Sequence, residues 1–129
     1  MTRVLVIDHE ETLRSELRAP FAELGFDVLE AASVRDAAVR RLGPWPDVFV
    51  LIADHRFQTH ELDTLRAGRP LVVVAPWPAS DPAAAIDDAR RLNAQAMLYA
   101  PTSIDAVIMA TVVLVEARAT GPTRVRGRR

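Results

Sequence analysis

RVLVIDHEETLRSEL, residues 3–17, decides the reading of the chain. Val4, Leu5, Val6 and Ile7 form an unbroken apolar run, too short for a helix and rich in β-branched residues. A strand buried on both faces of a parallel sheet reads this way. Acidic residues follow at once at Asp8, Glu10 and Glu11, with His9 between them. Leu13, Leu17, Phe21 and Leu24 then keep helical spacing, and Gly25 stands where a helix C-terminus wants it. The strand therefore delivers a carboxylate to the C-terminal edge of a sheet, where open α/β sheets bind ligands.

Working outward, 129 residues make one domain with room for a core. No apolar run approaches the roughly eighteen residues of a membrane span, and no secretory signal is visible. Cysteine is absent, which excludes disulfides and thiolate metal sites and fits a cytoplasmic protein. A net charge of −1 says nothing about partners. More telling, all 16 basic residues are arginine.

After Gly25, FDVLEAA (26–32) reads as a strand near a sheet edge. Ser33 reads as the N-cap of a helix through Ala37, Ala38, Val39 and Leu42 to Gly43, stopped by the PWP at 44–46. VFVLIA (48–53) is the next buried strand. A short helix is expected from Thr59, as N-cap, through Leu62 and Leu65 to Gly68. LVVVA (71–75) is the fourth strand, and Asp81 and Pro82 open a helix through Ile86, Ala89 and Leu92. AMLYA (96–100) is the fifth strand, broken by Pro101, and a last helix runs from about Ser103 to Ala119. Such alternation predicts an α/β doubly wound parallel sheet, helices on both faces, with Asp8 at the edge of a central first strand. No GxGxxG or GxxxxGK[ST] supports nucleotide binding. No Ser/His/Asp or Cys/His set supports a hydrolase, so no enzyme activity is expected.

RVLVIDHEETLRSEL resembles the opening of a response-regulator receiver domain, in which a strand ends in an acidic pair ahead of helix 1. GFDVLEAASVRDAAVRRL is similar to that family's second strand and helix, and PDVFVLIAD to its third strand. RPLVVVAP and AMLYAPTSIDAVI resemble its fourth and fifth strands. The likeness spans about residues 3–118 and implies a flavodoxin-like five-stranded sheet in the order 2-1-3-4-5. It also implies a role in two-component signalling: phosphorylation of an aspartate with Mg²⁺, and a switchable surface.

Carried over position by position, the resemblance makes the acidic pair Asp8 and His9, an imidazole where a hard ion prefers oxygen. Counting from Pro46–Asp47 puts the phosphoacceptor on Ile52; matching ADHRF to the strand's end puts it on Asp54, about 7 Å further along the same face. The hydroxyl residue ending the fourth strand becomes Ala75, the lysine before the proline becomes Ala100, and the aromatic switch residue becomes Met97. Phosphoryl transfer depends on charge and donors around the equatorial oxygens. Ala75 donates nothing, Ala100 carries no charge, and no lysine exists to replace it. Arg56 beside Asp54 differs from lysine in shape and reach. One lost donor costs on the order of 10²-fold in rate. The chain reads as a degenerate receiver without cofactor. The alternative is a phosphoaccepting receiver using Asp54, with Mg²⁺ held weakly by Asp8, His9, Glu10 and Asp54. The stretch after the third strand lacks the family's Pro-Gly turn and about seven residues, so that face is expected to be remodelled. A more distant reading is an unrelated flavodoxin-like ligand binder.

His9, His55 and His60 would make a transition-metal donor set with Asp8 and Asp54; solvated loops explain them more simply. Trp45 and Trp77, each between prolines, are expected to pack against helix ends. On the last helix, Ile104, Val107, Ile108, Thr111, Leu114 and Val115 form the inward stripe. Met109, Val112 and Val113 are expected to point outward, flanked by Asp105 and Glu116: a face for a protein partner or a homodimer. The resemblance agrees, because receivers commonly use their fourth helix, fifth strand and fifth helix there. It also makes a sensor kinase a possible partner. Residues 1–119 are expected to form the domain and 120–129 a flexible arginine-rich tail. The tail is the one segment suited to nucleic acid or an acidic partner.

Overall fold

The apolar runs send alternate residues to opposite faces of one sheet. The computed structural model describes residues 2–8, 10–43, 45–52, 59–75, 86–87, 90–91, 93–99 and 103–127. The strands are β1 (Arg3–Ile7), β2 (Asp27–Ala31), β3 (Val48–Ile52), β4 (Leu71–Ala75) and β5 (Ala96–Tyr99). All pairings are parallel and the order is β2-β1-β3-β4-β5, the expected flavodoxin-like arrangement. The middle belongs to β3 rather than β1, which lies between β2 and β3.

Leu5, Ile7, Phe49, Leu51, Leu71 and Val73 face helices α2 (Val34–Val39) and α3 (Thr59–Arg66) in one core cluster. Val4, Val6, Val48, Val50, Val72 and Val74 face α1 (Glu11–Glu23) and the last helix (Ile104–Gly127) in the other. Burial on both faces is why these runs do not alternate with polar residues. Residues 86–87 and 90–91 are helical, within the stretch where a helix was expected; the rest of that stretch lies outside the described residues.

Local chemistry sets the helix ends. Gly25, at φ +89°, closes α1, with Phe26 N–H donating to the Phe21 carbonyl at 3.0 Å and the two rings stacked at 5.3 Å. That is a Schellman cap with its usual apolar contact. Leu24, expected on the inner stripe, is exposed because α1 has already ended. Ser33 caps α2 as expected, its Oγ accepting from Asp36 N–H at 2.9 Å. The helix is shorter than expected, stopping at Val39 rather than near Gly43. Arg41 turns left-handed at φ +59°, and Leu42 N–H closes on the Ala37 carbonyl at 2.9 Å. Val39 therefore projects into solvent instead of packing. The last helix is longer than expected: it continues past Ala119 to Gly127.

Polar contacts hold the sheet's ends. Edge strand β2 is guarded by Glu30, which Arg18 of α1 reaches while Arg40 donates to its carbonyl. At the opposite end, Arg66 is buried, which pushes its guanidinium below the ordinary value, partly offset by Asp63. Its Nε donates to the Arg69 carbonyl at 2.8 Å, and Nη2 donates to the Asn93 carbonyl at 3.3 Å and Gln95 Oε1 at 3.2 Å. Gln95 Oε1 also accepts from Leu71 N–H at 2.8 Å. One side chain thus ties α3 to the entries of β4 and β5. Arg66→Ala strips these acceptors of a charged donor, and a loss of about 2–3 kcal/mol in unfolding free energy is expected by urea titration. A change within 0.5 kcal/mol would mean that water replaces the guanidinium at no cost.

Trp45 does not pack against a helix end. It is largely exposed, and the Arg3 guanidinium stands 6.0 Å from its ring centroid. Pro46 is buried instead, and Asp47 Oδ2 accepts from Arg3 N–H at 2.8 Å, so the turn is pinned with the indole outward. Trp77 lies outside the described residues.

Candidate functional site

The C-terminal ends of the strands converge where a doubly wound sheet binds ligands. Asp8 stands there as the sequence implies. It is 2% exposed, its N–H donates to the Ala31 carbonyl at 3.0 Å, and its Oδ1 accepts from Glu10 N–H at 3.1 Å. That last contact orders the turn into α1, whose N-cap residue Glu10 makes no side-chain cap of its own. Glu11 in the first turn favours the helix dipole.

Register identifies Asp8's neighbours. Ile7 pairs with Leu51, so the next residues, Asp8 and Ile52, share a row, and Ile52 pairs onward with Val74. By alternation Asp8 and Ile52 emerge on the same side, that of α1 and the last helix. Ile52 is half-buried against that cluster. The position beside Asp8 is therefore hydrocarbon. Ala75 closes β4 opposite Tyr99, and half-buried Met97 pairs with Val73. His9, Asp54, His55, Arg56 and Ala100 lie outside the described residues.

Mg²⁺ wants several oxygen ligands at near-octahedral geometry. Beside Asp8 the row supplies aliphatic side chains, Glu10 projects into solvent, and no group of three His, Cys, Asp or Glu among the described residues is placed to hold a metal ion. Asp8 and Glu10 are the two expected ligands among the described residues; His9 and Asp54 lie outside them. Nearby, Asp36 has its carboxyl held below the usual range, first by the Ala32 N–H and then by Arg40 and Arg14. Its contribution to stability is present above the ordinary carboxylate pKa and lost as the pH falls through the lowered value.

The last helix offers a second surface. Val107, Ile108 and Thr111 are buried, and Ile104, Leu114 and Val115 pack partly against the core, as the wheel implied. Met109 and Val113 are 59% and 56% exposed, and with exposed Asp105 and Glu116 they form one ridge. Val112 departs from expectation: it is half-buried and packs on the core. It lies only about 40° around the helix from Ile108. The outward face is narrower by that residue. No helix among the described residues is long and apolar enough to cross a membrane.

A third surface is marked by no periodicity in the sequence. Between α2 and α3 lies a groove of about 720 Å³ with apolar walls.

Solved structures share this fold. The receiver domain of the Francisella response regulator 1452 superposes with a TM-score of 0.73 at 20% identity, covering 92% of this chain and 99% of that one. A two-component response regulator from Clostridium difficile gives 0.73 at 18% identity, over 94% and 100%. The chemotaxis response regulator CheY4 of Vibrio cholerae gives 0.72 at 16%, over 88% and 98%. No protein-family model and no curated protein matches the chain. The chain has the fold of response-regulator receiver domains, almost end to end.

Proposed function

We propose that this chain is a receiver-like module of two-component signalling that works through protein contact and does not depend on phosphorylation. The observation that carries the reading is the row beside Asp8, where Ile52 fills one of the two places at which the resemblance puts the phosphoacceptor. Ala75 and Ala100 supply neither hydroxyl nor charge, and the sequence contains no lysine. Mg²⁺ is not proposed as a cofactor.

What remains of the family's equipment is a surface. The ridge of Asp105, Met109, Val113 and Glu116 is the proposed contact face, for a second copy or another protein of the pathway. Met109 and Val113 are exposed apolar residues on adjacent turns, which a partner would desolvate. The expected result is wild-type association at tens of micromolar in sedimentation velocity, abolished by Met109→Asp with an unchanged circular dichroism spectrum. Burying an unpaired carboxylate costs several kcal/mol. Association that survives Met109→Asp would remove the ridge as the contact face.

A further inference from the structure

The groove between α2 and α3 has a specific shape and charge. Ala38, Val39 and Leu65 give it apolar walls, and Val39 is 72% exposed. Helix α2, only six residues long, leaves Ala38 and Val39 exposed, while Leu65 of α3 is buried and forms the floor. The spacing is fixed at the base: a methyl group on Gly43 would come within 2.5 Å of the Leu65 carbonyl oxygen. Arg35 crosses the rim to Glu61 at 3.3 Å. Arg41, held left-handed at the end of α2, has no ion-pair partner among the described residues. The groove is thus an apolar trough with an uncompensated cation at its edge.

The chain exposes the complement elsewhere. Asp105, Met109 and Val113 recur every four residues along the last helix, an anion one turn before two apolar side chains. Asp105 also pairs with no cation among the described residues. Spacing of i, i+4 and i+8 is how a helix presents anchors to a groove. The groove belongs to the α2–α3 face of the sheet and the ridge to the α1 face, so one chain cannot dock its own helix into its own groove.

We infer that the groove between α2 and α3 receives the Asp105–Met109–Val113 ridge of a second copy, in a head-to-tail contact with Arg41 facing Asp105. The inference rests on the reading of the ridge as a contact face and adds the surface it meets. A contact of this kind is heterologous: in a dimer one copy keeps a free groove and the other a free ridge, so assembly continues past the dimer unless a ring closes.

The test uses two variants at exposed positions, Val39→Asp and Met109→Asp, each checked for wild-type circular dichroism. In sedimentation velocity the wild type grows beyond two chains with concentration, and each variant alone is monomeric, with affinity lowered at least 100-fold. Mixed in equal amounts, the variants form a 1:1 dimer and nothing larger, because one keeps an intact ridge and the other an intact groove. A mixture that stays monomeric overturns the inference, since a symmetric ridge-to-ridge contact has no such rescue. If Val39→Asp associates like wild type while Met109→Asp does not, the groove is excluded and the ridge stands. Association unaffected by Met109→Asp removes both. A wild type that is monomeric at the highest attainable concentration also overturns the head-to-tail contact.

Discussion

Phe49→Ala is expected to lower the unfolding free energy by about 3–5 kcal/mol. Phe49 is fully buried in the middle strand, pairing with Leu5 on one side and Leu71 on the other. Its ring fills the cluster shared by α2 and α3, so the truncation loses transfer energy and leaves a void that strands paired on both sides cannot close. Domains of this kind hold only about 5–15 kcal/mol in total. The variant should therefore show a urea midpoint sharply below wild type with a similar slope. Trp45→Ala is the control: an exposed indole beside Arg3 should cost under about 1 kcal/mol. Comparable losses from the two substitutions would mean that the core does not lie at β3.

The sheet was legible because its signals are local and redundant. Strands buried on both faces must be apolar where they are buried, and β3, β4 and β1 from Val4 onward are. The order of strands came from the resemblance, since periodicity does not say which strands are neighbours. Asp8 was legible for the same reason as β1: the residue after a buried strand lands on the sheet edge. Ile52 required the register, because two ways of counting along the third strand disagreed by two residues. Only pairing with β1 places Ile52 in Asp8's row. The outward face of the last helix was read one residue too wide, since a wheel cannot tell how far the core wraps around a helix. Val112 is covered by a core extending past Ile108. Arg66 and the α2–α3 groove were not legible at all. The bonds of Arg66 run to Asn93 and Gln95, remote in sequence. The groove depends on where α2 stops, and a left-handed arginine at position 41 carries no sequence signature comparable to glycine.

The second large effect is an absence of reaction. Phosphoryl transfer to a carboxylate needs an acceptor aligned with the donor, a divalent cation bridging the charge and fixed donors on the equatorial oxygens. Ile52, one of the two positions at which the resemblance puts the acceptor, stands in the row beside Asp8, and Ala75 and Ala100 provide no donor or charge. At on the order of 10²-fold per missing donor, two losses suppress the rate by about 10⁴-fold before the metal is considered. The intact mass of the full chain, recorded after incubation with Mg²⁺ and acetyl phosphate, tests this most directly. The expected mass is identical to that of untreated protein, for wild type and for Asp54→Asn alike. A stable adduct of one phosphoryl group on wild type, lost in Asp54→Asn, would contradict it and make the chain a phosphoaccepting receiver.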